Sequence, residues 1–468
     1  MAQDTEHFPL LVAAMMSNQR SSWENGTAAQ ALLEYTQFIH RNPKQTTLPT
    51  LSTDPMVYLY GMVHDAVLRR DSQGRLGTRL NGDDSGSGDG STWDSACIGP
   101  VLWFVIQHLD GDAHGPGEKA EWFIEAFEDM MTYLLEKAPR MNMPKHQLKQ
   151  SNLPDGCDTS VISHTTDRPQ LWIDGVYMGP PFMAAYALWS LQRSQALSIG
   201  KIKDKLLEVA HNFNNLVLQS HSSTPRTWQT ILNSSLDQTA LYFFCLQFPT
   251  GLLGHVYDCS MRCLLDQPLP PGIYGRDSWG TGNGWAVGGI LRLYNIVHQF
   301  LLQISPHESS LLQEFKEWLA LEATKQRFKV VNENLLNALN GILSHHKEAE
   351  ADGLFHNVID EPNTFTETNL AQMVSATIYR LLYLYRDDHI LADCLPKVDE
   401  EWKGKVLKKA ECLRNAARRK VDKWGFVRGA CSSPRFDRQG TSTEAQAWAV
   451  LMEVARADYL QGTDSKSK

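Results

Sequence analysis

Asp174 stands two residues after Trp172 in the run Leu171-Trp172-Ile173-Asp174-Gly175-Val176-Tyr177-Met178, and Asp94 directly follows Trp93. Each acid falls at or near the start of an expected helix. Backbone N–H groups at a helix start stabilise an ionised carboxylate, whereas the apolar neighbours of Asp174 (Ile173, Val176, Met178 and Phe182) favour its protonated form. A carboxyl group held between those pulls suits general acid and base work. Two acids set among aromatic plates match the needs of sugar chemistry, since rings cover the apolar faces of a pyranose and acids handle the protons. Taken singly, each residue has a plainer role. Asp94 and Asp174 are good helix caps, and Trp172, Trp279 and Trp285 are good core residues. His164 and His255 serve equally as loop histidines bonded to backbone, and Glu367 reads as a capping-box acid. The conjunction favours chemistry, because these residues fall at equivalent ends of helical hairpins.

The elements that position them are helices. Amphipathic periodicity marks 27–40, 55–69, 95–109, 119–136, 177–195, 199–219, 285–303, 308–345, 367–386, 400–421 and 442–460. Ser305-Pro306-His307-Glu308 has the form of a capping box with proline at the first helical position, and Thr364 to Glu367 and Thr441 to Glu444 share its spacing. Alternating strand patterns are scarce, so a large sheet is not expected. Between helices a similar loop recurs: Asp155-Gly156 leads to Ser163-His164, Gly251-Leu252-Leu253-Gly254-His255 to Asp258, and Asp352-Gly353-Leu354-Phe355-His356 to Asp360. A loop repeated between long helices implies a repeated helical hairpin. About a dozen helices closed into an (α/α) barrel fit it better than an elongated solenoid, whose repeats would be more regular. The expected division is an N-terminal extension over 1–26, an all-α barrel over 27–460 and a polar tail over 461–468. Asp71 to Thr92, rich in Gly, Asp and Ser, reads as a long mobile loop without the spacing of a calcium site.

Composition removes several functions. The chain has 468 residues, 42% hydrophobic and 21% charged, which is an ordinary globular balance. Its net charge of −9 comes without a basic tract, which argues against nucleic acid as a partner. No stretch approaches the ~20 apolar residues of a membrane span. The start lacks the basic residues and cleavage site of a signal peptide, so a cytoplasmic protein is expected. Sequons at Asn25 and Asn233 keep secretion as the alternative. Eight cysteines are sparse; Cys259 and Cys263 suit one helix face, but no second pair completes a zinc site, and free buried thiols are expected. No metal or cofactor is called for. A Gly-x-Ser-x-Gly elbow, a phosphate-binding loop and a His-Glu-x-x-His helix are all missing. Gly280-Thr281-Gly282-Asn283-Gly284 follows Trp279 rather than a strand and reads as a tight loop entering the next helix.

The run Trp172 to Phe182, Trp-Ile-Asp-Gly-Val-Tyr-Met-Gly-Pro-Pro-Phe, resembles the signature of the unsaturated rhamnogalacturonyl hydrolases, glycoside hydrolase family 105, which are related to the unsaturated glucuronyl hydrolases of family 88. Ser163-His164, Gly251 to His255, Gly282-Asn283-Gly284-Trp285 and Asp352 to His356 fit in the same order, so the resemblance spans roughly residues 55–460. It implies an (α/α)6 barrel with its active site at one mouth. It also implies an oligosaccharide substrate whose terminal uronic acid carries a C4–C5 double bond, hydrated rather than attacked at the glycosidic bond. The family's proton-donating Asp matches Asp174, and a second Asp in an Asp-x-x-x-x-Gly run matches Asp94. His164, Trp172, Met178, His255 and Trp285 would line the subsite for the unsaturated ring. One position departs: many relatives place Arg just before Gly-Asn-Gly-Trp, and here it is Thr281. Recognition of the substrate carboxylate then falls to Arg276, Arg168 or His255. Hydrolysis of a saturated glycoside by the two Asp residues, and an inactive glycan- or protein-binding barrel, are the rival readings.

Overall fold

Several helices begin where capping chemistry directs. The Asp54 carboxylate accepts from the Met56 N–H at 2.9 Å, with Pro55 at the first position of the Pro55–Leu68 helix. Asp399 caps Glu400–Arg418 through the Trp402 N–H at 2.7 Å, and Thr227 caps Trp228–Leu246. The structure, a computed structural model, describes residues 2–19, 22–43, 47–77, 91–111, 120–198, 227–267, 274–304, 309–347, 351–386, 390–432 and 435–464.

Among these residues, six helices pack in a closed ring. Ser22–Arg41, Gly99–Gly111, Pro180–Ser198, Gly280–Gln303, Thr368–Arg386 and Thr443–Asp464 each contact the next, and the last contacts the first. Ala2–Ser17 precedes them in sequence, and between them come Pro55–Leu68, Ala120–Thr132, Trp228–Leu246, Glu322–Ser344 and Glu400–Arg418; these pack outside that ring. The burial pattern agrees with two layers: every residue from Gly280 to Phe300 is buried, while Glu400–Arg418 buries one side only. The fold is the all-α (α/α)6 barrel, and closure of the ring decides against a solenoid. Strands are short antiparallel pairs in the connections: Arg140–Asn142 with Ser160–Ile162, Gln170–Trp172 with Val256–Asp258 and Cys263–Leu264, Phe355–His356 with Thr366–Glu367, and Ala430–Ser432 with Arg435–Gly440.

Several expectations change. The stretch 1–26 is not an extension outside the barrel. It supplies the Ala2–Ser17 outer helix, with Phe8, Leu11 and Met15 buried in the main core, and the first turn of an inner helix. Pro9 and a weakly one-sided pattern hide that helix in the sequence. At the other end the last helix runs through 461–464, so the expected tail is in part helical, and 465–468 lie outside the described residues. The segment 308–345 is two helices, Ser309–Ala320 and Glu322–Ser344, broken at Leu321. Trp228–Leu246 has no counterpart in the sequence reading, because both its apolar and its polar residues are buried and no stripe stands out. Cys259 and Cys263 lie in a strand turn rather than on a helix; all eight cysteines are free, four of them buried. The expected helix at 199–219, the centre of the 71–92 loop and the Ser305 to Glu308 capping box lie outside the described residues.

Candidate active site

The starts of the six inner helices meet at one mouth of the barrel. Trp23 Nε1 donates to Glu444 Oε1 at 2.6 Å, joining the first inner helix to the last. The Gly280 N–H reaches Asn357 O at 2.7 Å, and the Asn369 amide reaches Thr281 Oγ1 at 3.5 Å. Asp94 and Asp174 belong to this gathering, each just ahead of an inner helix.

Asp174 is placed by a short sheet. Trp172 pairs with Val256, and the Ile173 N–H donates to His255 O at 3.0 Å, so the strand entering Asp174 is zipped to the segment carrying His255. The chain then turns into the four-residue helix Gly175–Met178, for which Asp174 is the N-terminal residue yet makes no side-chain cap. Its carboxylate is left for other work. Oδ2 lies 3.6 Å from His255 Nε2, and Oδ1 is buried with no hydrogen-bond partner among the described residues. Asp94 opens a single 3-10 turn, its N–H donating to Ser91 Oγ at 3.0 Å, with Oδ1 3.4 Å from His164 Nε2. Both carboxylates keep a little solvent contact, at 13% and 14% exposure, so a substrate atom can reach them.

Aromatic rings connect the two acids. His164 stacks on Trp172 at 5.6 Å and 14°, Trp172 meets His255 edge-on at 5.3 Å, and His255 lies 4.6 Å from Trp279. Burial pushes His164 down to about 4; the charge of Asp174 works against that shift and His255 adds to it. His164 is therefore neutral at pH 7, and its approach to Asp94 is not an ion pair. Both ring nitrogens of His255 and Nδ1 of His164 are buried without hydrogen-bond partners among the described residues. A cluster with this many unused donors and acceptors beside a carboxylate is built to receive a polar ligand.

The support explains the motifs. Asn283 holds the His255 loop: its side chain accepts from the Leu253 N–H and donates to Leu253 O, both at 2.9 Å. Gly282 lets that helix approach Ile173, since a Cβ there would lie 2.8 Å from the Ile173 side chain. At Gly179 a Cβ would collide with Trp93 at 1.8 Å, so the ring preceding Asp94 lies flat against the turn following Asp174. Trp93 Nε1 is fixed by Tyr242 OH at 2.8 Å, which in turn donates to Ile162 O. Beneath both turns Arg292 is fully enclosed. Its guanidinium donates to Cys97 O at 2.6 Å and to Tyr177 O at 3.0 Å, and lies over the Tyr177 ring. Those carbonyls sit three residues after Asp94 and three after Asp174, so one side chain ties the two acid-bearing turns together.

Of the residues expected to line the site, the structure brings together Asp94, His164, Trp172, Asp174 and His255. Met178 and Trp285 are buried, and Trp285 packs on Tyr177 and Trp448 in an aromatic layer of the core. Thr281 is sealed in: its hydroxyl lies 3.4 Å from Cys431 Sγ and accepts from Asn369. Arg276 is exposed and pairs with Asp266 at 3.0 Å, and Arg168 is exposed, which leaves His255 as the member of that trio beside Asp174. Glu367 is itself the cap of Thr368–Arg386, accepting from the Asn369 and Leu370 N–H groups, rather than the closing acid of a box begun at Thr364. Its burial pushes it up to about 7. Glu444, up to about 8 through burial and then the charge of Glu24, also feels Asp174. Sequence reasoning passed over Tyr242 and Arg292 and read Glu444 only as a capping-box acid; the signal for Arg292 was a lone cation inside the apolar run Gly288 to Tyr294. Among the described residues no group of three or more His, Cys, Asp or Glu is placed to hold a metal ion, and no helix is long and apolar enough to cross a membrane.

No protein-family model matches the chain, and no curated protein matches it in sequence. Solved structures do. It is similar to a possible member of glycoside hydrolase family 105 from Salmonella enterica, with a TM-score of 0.55 at 11% identity over 94% of this chain and 83% of that one. A family 105 hydrolase of C. acetobutylicum gives a TM-score of 0.54 at 14% identity, covering 97% and 99% of the two chains. The unsaturated glucuronyl hydrolase of Bacillus sp. GL1, responsible for glycosaminoglycan degradation, gives 0.52 at 10% identity over 97% and 96%. This chain is thus structurally related to the family 105 and family 88 enzymes and shares their six-hairpin barrel.

Proposed function

We propose that this protein is a glycoside hydrolase that removes a 4,5-unsaturated uronic acid from the non-reducing end of lyase-generated oligosaccharides, those of pectin or rhamnogalacturonan foremost. The observation that carries the reading is the half-buried Asp174 carboxyl, whose enclosed Oδ1 has no hydrogen-bond partner among the described residues, beside His255 and the Trp172 ring. A solvent-poor carboxyl of this kind delivers a proton to C4 of the enol ether and, once ionised, takes one from the water that adds at C5. The resulting hemiketal opens and expels the neighbouring sugar, so the net reaction consumes one water. Asp94 supports the second side of the ring, with neutral His164 3.4 Å away placing an uncharged ring nitrogen beside it. His255, with both nitrogens unused, takes the place of the missing arginine in meeting the substrate carboxylate.

The test is direct. Incubation with unsaturated pectin disaccharides is expected to abolish the ultraviolet absorbance of the enol ether. Asp174→Asn is expected to slow that loss on the order of 10³-fold while leaving the fold intact. Absorbance that persists while saturated glycosides are cleaved would make the enzyme an ordinary glycosidase. Binding without any turnover would make it a glycan-binding barrel.

A further inference from the structure

A cavity lies away from the mouth, in the side of the barrel. It has a volume of about 540 Å³ and opens between two outer helices, Ala2–Ser17 and Glu400–Arg418, beside the seam where the ring closes. Its floor is formed by the inner helices Thr368–Arg386 and Thr443–Asp464. That volume falls in the range of small-molecule sites. Phe8, Leu11, Ala417, Val421, Ala449 and Met452 make the walls largely apolar.

Two features distinguish this cavity from a packing gap. Gln372 lies in its lining, is fully buried, and has neither amide nitrogen nor amide oxygen hydrogen-bonded among the described residues. An unbonded amide costs roughly 1–3 kcal/mol when buried, so a residue of this type is retained where something else answers it. Charge is the second feature. Arg414, Arg418 and Arg456 line the cavity with Glu453, and Glu411 pairs with Arg456 from outside the lining, so three guanidiniums stand against two carboxylates in a chain whose net charge is −9. Two of these guanidiniums are held in place: Arg414 donates to Glu453 at 2.9 and 2.7 Å, and Arg456 to Glu411 at 2.7 Å. Pre-positioned guanidiniums on a concave apolar surface are suited to an anion that brings hydrophobic area with it.

We propose that this cavity is a binding site, separate from the catalytic mouth, for a small amphipathic monoanion. Its apolar body fills the space between the outer helices, its acidic group faces the arginines, and a hydrogen-bonding group reaches the Gln372 amide. The ligand bridges the Ala2–Ser17 helix and the two inner helices of the floor, so its binding stabilises the packing of that side of the barrel.

Anilinonaphthalene sulfonate, an aromatic monoanion that fluoresces when desolvated, serves as the probe. The folded protein is expected to bind one equivalent saturably, with a rise in thermal midpoint. Ala449→Phe, which fills the cavity, is expected to weaken binding at least tenfold, and Ala417→Phe does the same from the opposite wall should the first variant fold poorly. Arg456→Gln is expected to weaken it several-fold, and Asp174→Asn to leave it unchanged. Absence of saturable binding, binding that survives both filling variants, or binding lost in Asp174→Asn overturns the proposal.

Discussion

Two groups of buried polar side chains lie within this barrel, and they are satisfied to very different degrees. Below the mouth, Arg380 donates to Glu34 at 2.6 Å and to Asp458 at 2.5 Å, Arg41 joins Asp458 at 2.7 Å and Gln299 at 2.6 Å, and Gln30 bridges Glu34 to Arg292. This belt links four inner helices. At the mouth, Asp174, His164 and His255 leave four buried nitrogen or oxygen atoms without partners among the described residues. Burial of a polar group costs free energy unless a partner compensates it, and the belt supplies its own. The mouth does not. Rigidity is concentrated where the ring must close, and unsatisfied hydrogen-bonding capacity where a substrate can supply the missing partners.

The contrast can be broken most forcefully at Arg380. Arg380→Met leaves Glu34 and Asp458 buried against fewer cations, and stability should fall by about 3–5 kcal/mol in denaturant unfolding. A loss under about 1 kcal/mol would show that the belt does not hold the ring. His164 tests the other cluster. Burial keeps it neutral down to about 4 in the folded protein, whereas the unfolded chain takes up its proton near 6.5. Unfolding therefore binds a proton between those values, and stability falls as pH drops through that window, by about 3 kcal/mol at its lower end. In His164→Asn that share of the acid slope should vanish when unfolding curves of the two proteins are subtracted; parallel slopes would refute it.

Arg292 joins the two regions, with one end on the belt and the other under the acids. Arg292→Lys is expected to lower kcat about tenfold (about 1.4 kcal/mol) with KM little changed, in the enol-ether assay. An unaltered kcat would mean that the turns of Asp94 and Asp174 keep their spacing without it. The smallest effect belongs to Tyr177→Phe. The Tyr177 hydroxyl is buried with no partner among the described residues, so its removal should cost less than about 0.5 kcal/mol and any larger change should be a gain in stability. A loss of more than about 1 kcal/mol would reveal a hydrogen bond at that hydroxyl.

Much of the barrel was legible because outer helices such as Ala120–Thr132 and Glu400–Arg418 carry a strong period, the latter starting at the capping acid Asp399. The candidate site was legible for a related reason: Trp172, Asp174, His164 and His255 lie in short connections whose residue types have little use in a helix interior. What escaped was set by tertiary contact. Trp228–Leu246 buries Asp237 and Gln238 along with its leucines, so its pattern looks neither amphipathic nor apolar, and Tyr242 was hidden with it. Thr281 read as the loss of a substrate contact, yet nothing local to it says that Asn369 and Cys431 close over it. Asp237 shows the same limit: its partner Arg327, at 2.8 Å, is 90 residues away.

The order in which inner helices follow one another along the chain has a temporal consequence. The first inner helix finds its final neighbour only in Thr443–Asp464, through contacts such as Trp23 with Glu444 that span 421 residues. Hairpins along the chain can form as they emerge, but the ring stays open until that last helix arrives. During synthesis the apolar side of Ser22–Arg41 must wait, exposed or shielded by other proteins, for most of the time the chain takes to be made.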